Sequence, residues 1–221
     1  MKNHGSDRIK TDPTPFLFIV GRPRSGTTLL RTIFDAHPNV CIPPECHLII
    51  NLYPRYGKVL DWDEHTILLF FKDLQKQWLF DTWNIEMDQL KSDLLKMKGP
   101  NTYGNFCKQV YASHASLFDK KEILLYGDKN PGYAIYTEKL LKIYPNARFI
   151  HIIRNPYANM VSLRRYKSII HGYPIISRLL RTLYTSYYWL YKNQRICSDY
   201  LVIKYEDLVT SPRRTMDKVC D

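Results

Sequence analysis

Residues 16–28 read Phe16-Leu-Phe-Ile-Val-Gly-Arg-Pro-Arg-Ser-Gly-Thr-Thr28. Five apolar, partly β-branched residues in a row predict a strand covered on both faces. The segment Thr27–Ala36 carries the apolar spacing of a helix, so the glycine-containing stretch between them is a strand–loop–helix turn. Gly21 and Gly26 permit backbone angles that a side chain forbids. The amides of Arg24, Ser25, Gly26, Thr27 and Thr28 can then face one anion at the positive end of a helix dipole. The GxxxxG spacing equals that of a nucleotide-triphosphate loop, yet Thr27 stands where that loop needs lysine. A cation, Arg24, sits inside the loop instead.

Outward from this turn the pattern repeats. Ile123–Tyr126, Arg148–Ile153 and Tyr200–Ile203 read as further strands. Helices are expected at Ala134–Ile143 and Tyr157–Tyr166, and another begins near Pro212. Strand–helix alternation of this kind predicts an α/β protein: a P-loop-like three-layer α/β/α fold with a central parallel sheet. Helical periodicity over Glu64–Phe80, Met87–Met97 and Tyr103–Phe118 predicts a helical insertion that shapes a pocket. A basic helix over Ile176–Cys197 precedes the last strand, with Tyr184, Tyr187, Tyr188 and Tyr191 expected in the core. Residues 1–15 are expected to form a flexible N-terminal segment, and 16–221 the domain.

The chain has 221 residues, with 32 Lys+Arg against 21 Asp+Glu and a net charge of +11. Residues 1–138 account for +1 of this and residues 139–221 for +10. Such an excess points to an anionic partner, a polyanion or a phosphorylated cosubstrate. No segment approaches the ~20 apolar residues of a spanning helix, and no signal-peptide core is evident. The five cysteines are scattered without a CxxC pair, which argues against zinc and for free thiols in a reducing, cytoplasmic setting. No metal ligand set is expected, and a homodimer is compatible with the composition.

The residues also carry a resemblance. GRPRSGTTLLRTIFDAHPNV (21–40), LLYGDKNPGYA (124–134), RFIHIIRNPYANMVS (148–162) and YLVIKYEDLVTSP (200–212) resemble, in order, the motifs of sulfotransferases. These enzymes use 3′-phosphoadenosine 5′-phosphosulfate (PAPS), and the chain is most similar to the tyrosylprotein sulfotransferases and their bacterial relatives. The resemblance implies that residues 24–28 bind the 5′-phosphosulfate end and that Arg154 and Ser162 bind the 3′-phosphate. It implies that Tyr205 contacts the nucleotide, where a plain core tyrosine is the alternative. Glu45 is implied as the base that takes the acceptor's proton, with Arg24 and Lys129 as the cations at the transferring group. His47 and His37 are rival bases, although His37 reads as a structural residue at a helix end. The acceptor implied is a hydroxyl on peptide tyrosine, a sugar or a small molecule, possessing acidic character if the basic half attracts it.

Two departures from the family stand out. Ile42 occupies a position where the secreted members place a disulfide cysteine, and the family's downstream segment, which closes over adenine and sulfate, has no counterpart after Asp221. A domain truncated at its C-terminus is therefore expected. Alternatives are a P-loop kinase, which would need lysine at Thr27, and a non-catalytic nucleotide- or nucleic-acid-binding relative; no nucleic-acid-binding signature is evident.

Overall fold

The computed structural model describes residues 14–165, 177, 180 and 183–220. Of the expected N-terminal segment, residues 1–13 lie outside the described residues, as do Tyr166 and most of 166–182 in the basic stretch.

A five-stranded parallel sheet forms the centre. Its strands are β1 (Phe16–Gly21), β2 (Val40–Cys41), β5 (Leu125–Lys129), β6 (Arg148–Ile153) and β7 (Tyr200–Lys204), in the spatial order β2-β5-β1-β6-β7. β1 shows why its sequence has no polar face. Phe16, Phe18 and Val20 point into a large core, while Leu17 and Ile19 point into a second core on the opposite side. Alternate side chains on a strand face opposite ways, so both faces of a doubly covered strand must be apolar.

The second core is closed by α1 (Thr27–Asp35) through Leu30 and Phe34, and by α9 (Tyr205–Thr210) through Leu208. The larger core is closed by an insertion between β2 and β5. It comprises α2 (Leu48–Tyr56), a short antiparallel pair of β3 (Asp61–Trp62) and β4 (Gly99–Pro100), and α3 (Glu64–Leu74), α4 (Met87–Lys96) and α5 (Tyr103–Ala112). Trp62 anchors it, with no exposed surface and its ring stacked on Phe106 at 3.8 Å. α6 (Thr137–Ile143) and α8 (Trp189–Ile196) pack on the larger core through Leu140 and Trp189, α10 (Pro212–Cys220) packs on the second through Met216 and Val219, and α7 (Pro156–Arg165) follows β6.

The three-layer α/β reading holds, and several boundaries move. The strand expected at Ile123–Tyr126 lies at Leu125–Lys129. Its polar end is buried because partners from the insertion satisfy it. The helices expected to end at Phe80 and Phe118 stop at Leu74 and Ala112, and that expected from Ala134 begins with a tight turn over Pro131–Tyr136. The core position expected for the tyrosine run is corrected: Tyr184, Tyr188 and Tyr191 are exposed. A single π-type turn over Tyr184–Tyr188 lets the Tyr184 and Tyr188 rings stack on each other at 5.0 Å, on the outside. No helix among the described residues is long and apolar enough to cross a membrane.

Candidate active site

Two groups of side chains meet the carboxyl edge of the sheet, where open α/β folds place their ligands. Adjacent strands carry them: β1 runs into the loop at Gly21, and Lys129, the last residue of β5, pairs in register with Ile19.

The first group surrounds the loop. Gly26 adopts φ 93° at the start of α1, and a Cβ there would come within 2.3 Å of the Tyr205 ring. Glycine is thus required twice over, by backbone angle and by space. The first turn of α1 has no side-chain cap and no acidic residue, so the amides of Gly26, Thr27 and Thr28 retain a field that favours an anion. The Ser25 amide is committed elsewhere, donating to the Arg22 carbonyl at 3.1 Å to close the turn. Arg24, a non-glycine residue at φ 70°, is held in that conformation by Arg154, whose Nη1 donates to the Arg24 carbonyl at 2.9 Å.

Arg154 lies over the Tyr205 ring at 4.4 Å, and its buried Nε has no hydrogen-bond partner. An unpaired guanidinium N–H in a buried position is costly, and an arriving phosphate oxygen would satisfy it. Ser162, on α7, accepts from Arg24 Nε at 3.3 Å. Arg24, Arg154, Ser162 and Tyr205 therefore converge, although 138 residues separate Arg24 from Ser162.

Sequence reasoning missed the residue that joins this helix to the loop. Asn159, 1% exposed, donates to the Pro23 carbonyl at 2.9 Å and to Ser25 Oγ at 3.1 Å, and accepts from Arg22 Nε at 3.2 Å. Its place three residues before Ser162, on the same helical face, was the available signal. Glu206 was missed too; its Oε1 accepts from the Asn155 amide at 2.9 Å and ties α9 to the turn after β6.

The second group surrounds Glu45. Lys129, 5% exposed, donates to Glu45 Oε2 at 2.5 Å, and His47 Nε2 stands 3.5 Å from Glu45 Oε1. Partial burial pushes the Glu45 carboxyl up, but nearby His47 and the hydrogen bond and charge of Lys129 prevail and hold it below its ordinary value. Glu45 thus stays ionised. Its side chain remains 26% exposed, so an incoming hydroxyl has a route to it.

Beneath the pair lies a buried polar brace that sequence reading also missed. Asp128 is 1% exposed; its Oδ2 accepts from Tyr111 Oη at 2.7 Å and its Oδ1 from Asn130 Nδ2 at 2.5 Å. Asn130 Nδ2 also donates to the Cys46 carbonyl at 3.0 Å, pinning the chain beside Glu45 to the residue beside Lys129. Burial raises the Asp128 carboxyl to about 7, against the lowering influence of Tyr111, His47, Lys129 and Asn130. His37 sits apart at the end of α1, where its Nδ1 accepts from the Asn39 amide at 3.2 Å. No cluster of three or more His, Cys, Asp or Glu side chains able to hold a metal occurs among the described residues.

The chain as a whole is similar to known sulfotransferases. A model of the sulfotransferase family matches residues 15–221. The nodulation protein NoeE of Sinorhizobium fredii is 28% identical over 153 residues, 69% of this chain and 32% of that protein. The protein-tyrosine sulfotransferase of Drosophila melanogaster is 25% identical over 210 residues, 93% of this chain and 37% of that protein. The chain thus spans about a third of the length of these relatives. The solved sulfotransferase domain of the Synechococcus PCC 7002 olefin synthase superposes with a TM-score of 0.61 at 24% identity, covering 96% of this chain and 74% of that domain.

Proposed function

Because the chain belongs to the sulfotransferase family, we propose that it moves a sulfuryl group from PAPS to an acceptor hydroxyl, and that residues 16–221 form the domain that does so. The observation that carries this reading is the pairing of Glu45 with a buried Lys129 at the sheet edge, one strand from the phosphate loop.

PAPS supplies an activated sulfuryl group on a 5′-phosphate, together with a 3′-phosphate that ATP lacks. The chain's own groups match both ends. The amides of Gly26, Thr27 and Thr28, with the Arg24 side chain and the Ser25 hydroxyl, receive the 5′ end; Arg154 and Ser162 receive the 3′-phosphate, with Tyr205 alongside. The orphaned Arg154 Nε supports that fit.

Glu45 accepts the acceptor's proton. Lys129 has three N–H donors, of which Glu45 takes one, so the others can meet negative charge developing on the departing oxygen. Arg24 adds a second cation. A transferring sulfuryl carries less charge than a phosphoryl, so fixed cations can do the neutralising. His47, near enough to exchange a proton with Glu45, is the alternative base. The cysteines, all free and four of them buried, support a reducing compartment such as the cytoplasm.

The test is calorimetric titration with 3′-phosphoadenosine 5′-phosphate (PAP) and with AMP, followed by transfer from radiolabelled PAPS with EDTA present. PAP should bind at least ~10-fold more tightly than AMP, the worth of one charge-assisted contact. Transfer should survive EDTA. Equal affinity for PAP and AMP would remove the 3′-phosphate assignment, and EDTA-sensitive transfer from ATP would favour the kinase reading.

A further inference from the structure

Trp78 is 62% exposed, whereas Trp62 and Trp83 are 0% and 4% exposed and Trp189 is half-buried. An outward tryptophan would be ordinary on a loose loop, but its surroundings are tightly held. The Gln77 amide donates to the Leu74 carbonyl at 3.0 Å, the Phe80 amide to the Gln77 carbonyl at 3.1 Å, and Asn51 Nδ2 to Gln77 Oε1 at 3.1 Å. Leu79, the next residue, has φ 62°, a left-handed conformation that is strained for a leucine. Such strain persists only where neighbours enforce it, and it concentrates at functional positions.

The direction of the ring is the second observation. Trp78 meets His47 edge-on at 6.0 Å, and His47 in turn packs on Tyr133 at 5.6 Å. His47 is the residue that contacts Glu45. A line of aromatic edges therefore leads from solvent to the carboxylate.

We propose that Trp78 is the acceptor-binding residue of this site, stacking on the ring of a phenolic acceptor whose hydroxyl reaches Glu45. The inference rests on the sulfuryl-transfer reading and deepens it by naming the residue that selects the acceptor. Chemistry supports the choice of a phenol. An ionised carboxylate takes a proton more readily from a phenol, which ionises near ~10, than from an aliphatic alcohol. An indole face presents a large, rigid surface to such a ring at little entropic cost.

Transfer from radiolabelled PAPS to 4-cresol is measured for the wild type, Trp78→Ala and Trp78→Phe. Alanine should raise KM for 4-cresol roughly tenfold and leave kcat within about twofold, while phenylalanine keeps KM near the wild-type value. Affinity for PAP should be unchanged in both. Acrylamide quenching of wild-type tryptophan fluorescence supplies a readout independent of the variants' folding: 4-cresol added with PAP should shield the exposed indole. An unchanged KM in Trp78→Ala, an indole left unshielded, or transfer to hexan-1-ol as efficient as to 4-cresol would overturn the proposal. A wild-type protein that binds PAP but never sulfates 4-cresol would overturn this inference alone; one that binds no PAP would overturn the sulfuryl-transfer reading with it.

Discussion

The phosphate loop and the Glu45 region sit side by side on one sheet edge, yet they are built by opposite means. The loop is largely a backbone device. It consists of glycines, an uncapped helix terminus and its amides, and its side-chain cations are part-exposed. The Glu45 region is a side-chain device. A nearly buried ammonium, a carboxylate 84 residues away and a fully buried Asp128–Asn130–Tyr111 brace define it. The contrast teaches where each can fail. A backbone anion site degrades gradually when one contact is lost, whereas a buried charge network loses its geometry when one partner goes.

Three substitutions would break or sharpen that contrast. The largest effect is expected from Glu45→Gln. Turnover should fall by about 10²–10⁴-fold, the usual worth of a general base, with PAP affinity retained. Glutamine keeps an oxygen to accept from Lys129, so Lys129 is not left without an acceptor. A steady-state assay beside a PAP titration checks this, and a variant turning over at the wild-type rate would transfer the base role to His47. The wild-type pH profile should agree. The folded carboxyl is held below its ordinary value, so the base is ionised at neutral pH and its contribution is lost as the pH falls through that lowered value.

Arg154→Ala comes next. It removes the guanidinium with the unpaired Nε and the prop under the Arg24 carbonyl. PAP affinity should drop ~10–100-fold by calorimetry, with the unfolding midpoint nearly unmoved, because the residue lies at the surface edge of the site. If affinity holds and the fold suffers instead, Arg154 is a loop prop and not a phosphate ligand.

The smallest effect on ligand binding, and a clear one on stability, is expected from Asn130→Ala. Removing its donor leaves Asp128 Oδ1 and the Cys46 carbonyl unpaired in the interior, which should cost ~1–3 kcal/mol in chemical denaturation. Turnover should decline with little change in PAP affinity, since the brace positions Glu45 and not the loop. Equal losses in both would show that the two regions are mechanically one.

The two regions also differed in legibility. The loop could be read because its cause is local: Gly21, Gly26 and an apolar strand before them dictate a turn whatever surrounds it. The strand expected at Ile123–Tyr126 continues through Gly127-Asp128-Lys129, a run of residues whose polarity suits a loop better than a buried strand. Tyr111, supplied by a helix of the insertion, together with Asn130 makes a buried Asp128 tolerable there. The tyrosines of 184–191 misled for a related reason. Their spacing suits a buried face, but spacing alone does not say whether another element lies opposite, and here three of them face outward.

What the sequence alone determined was therefore the parallel α/β scaffold, the glycine-bearing strand–loop–helix turn and the identity of the charged residues around it. Strand burial and glycine angles are properties of short segments, and short segments carry them wherever they fold. The tertiary structure decided the rest: that Lys129 lies against Glu45, that Asn159 clamps the loop, and that Trp78 stands beside His47. Each is a contact between residues distant in the chain, and only the packing of the insertion and α7 against the sheet brings them within reach.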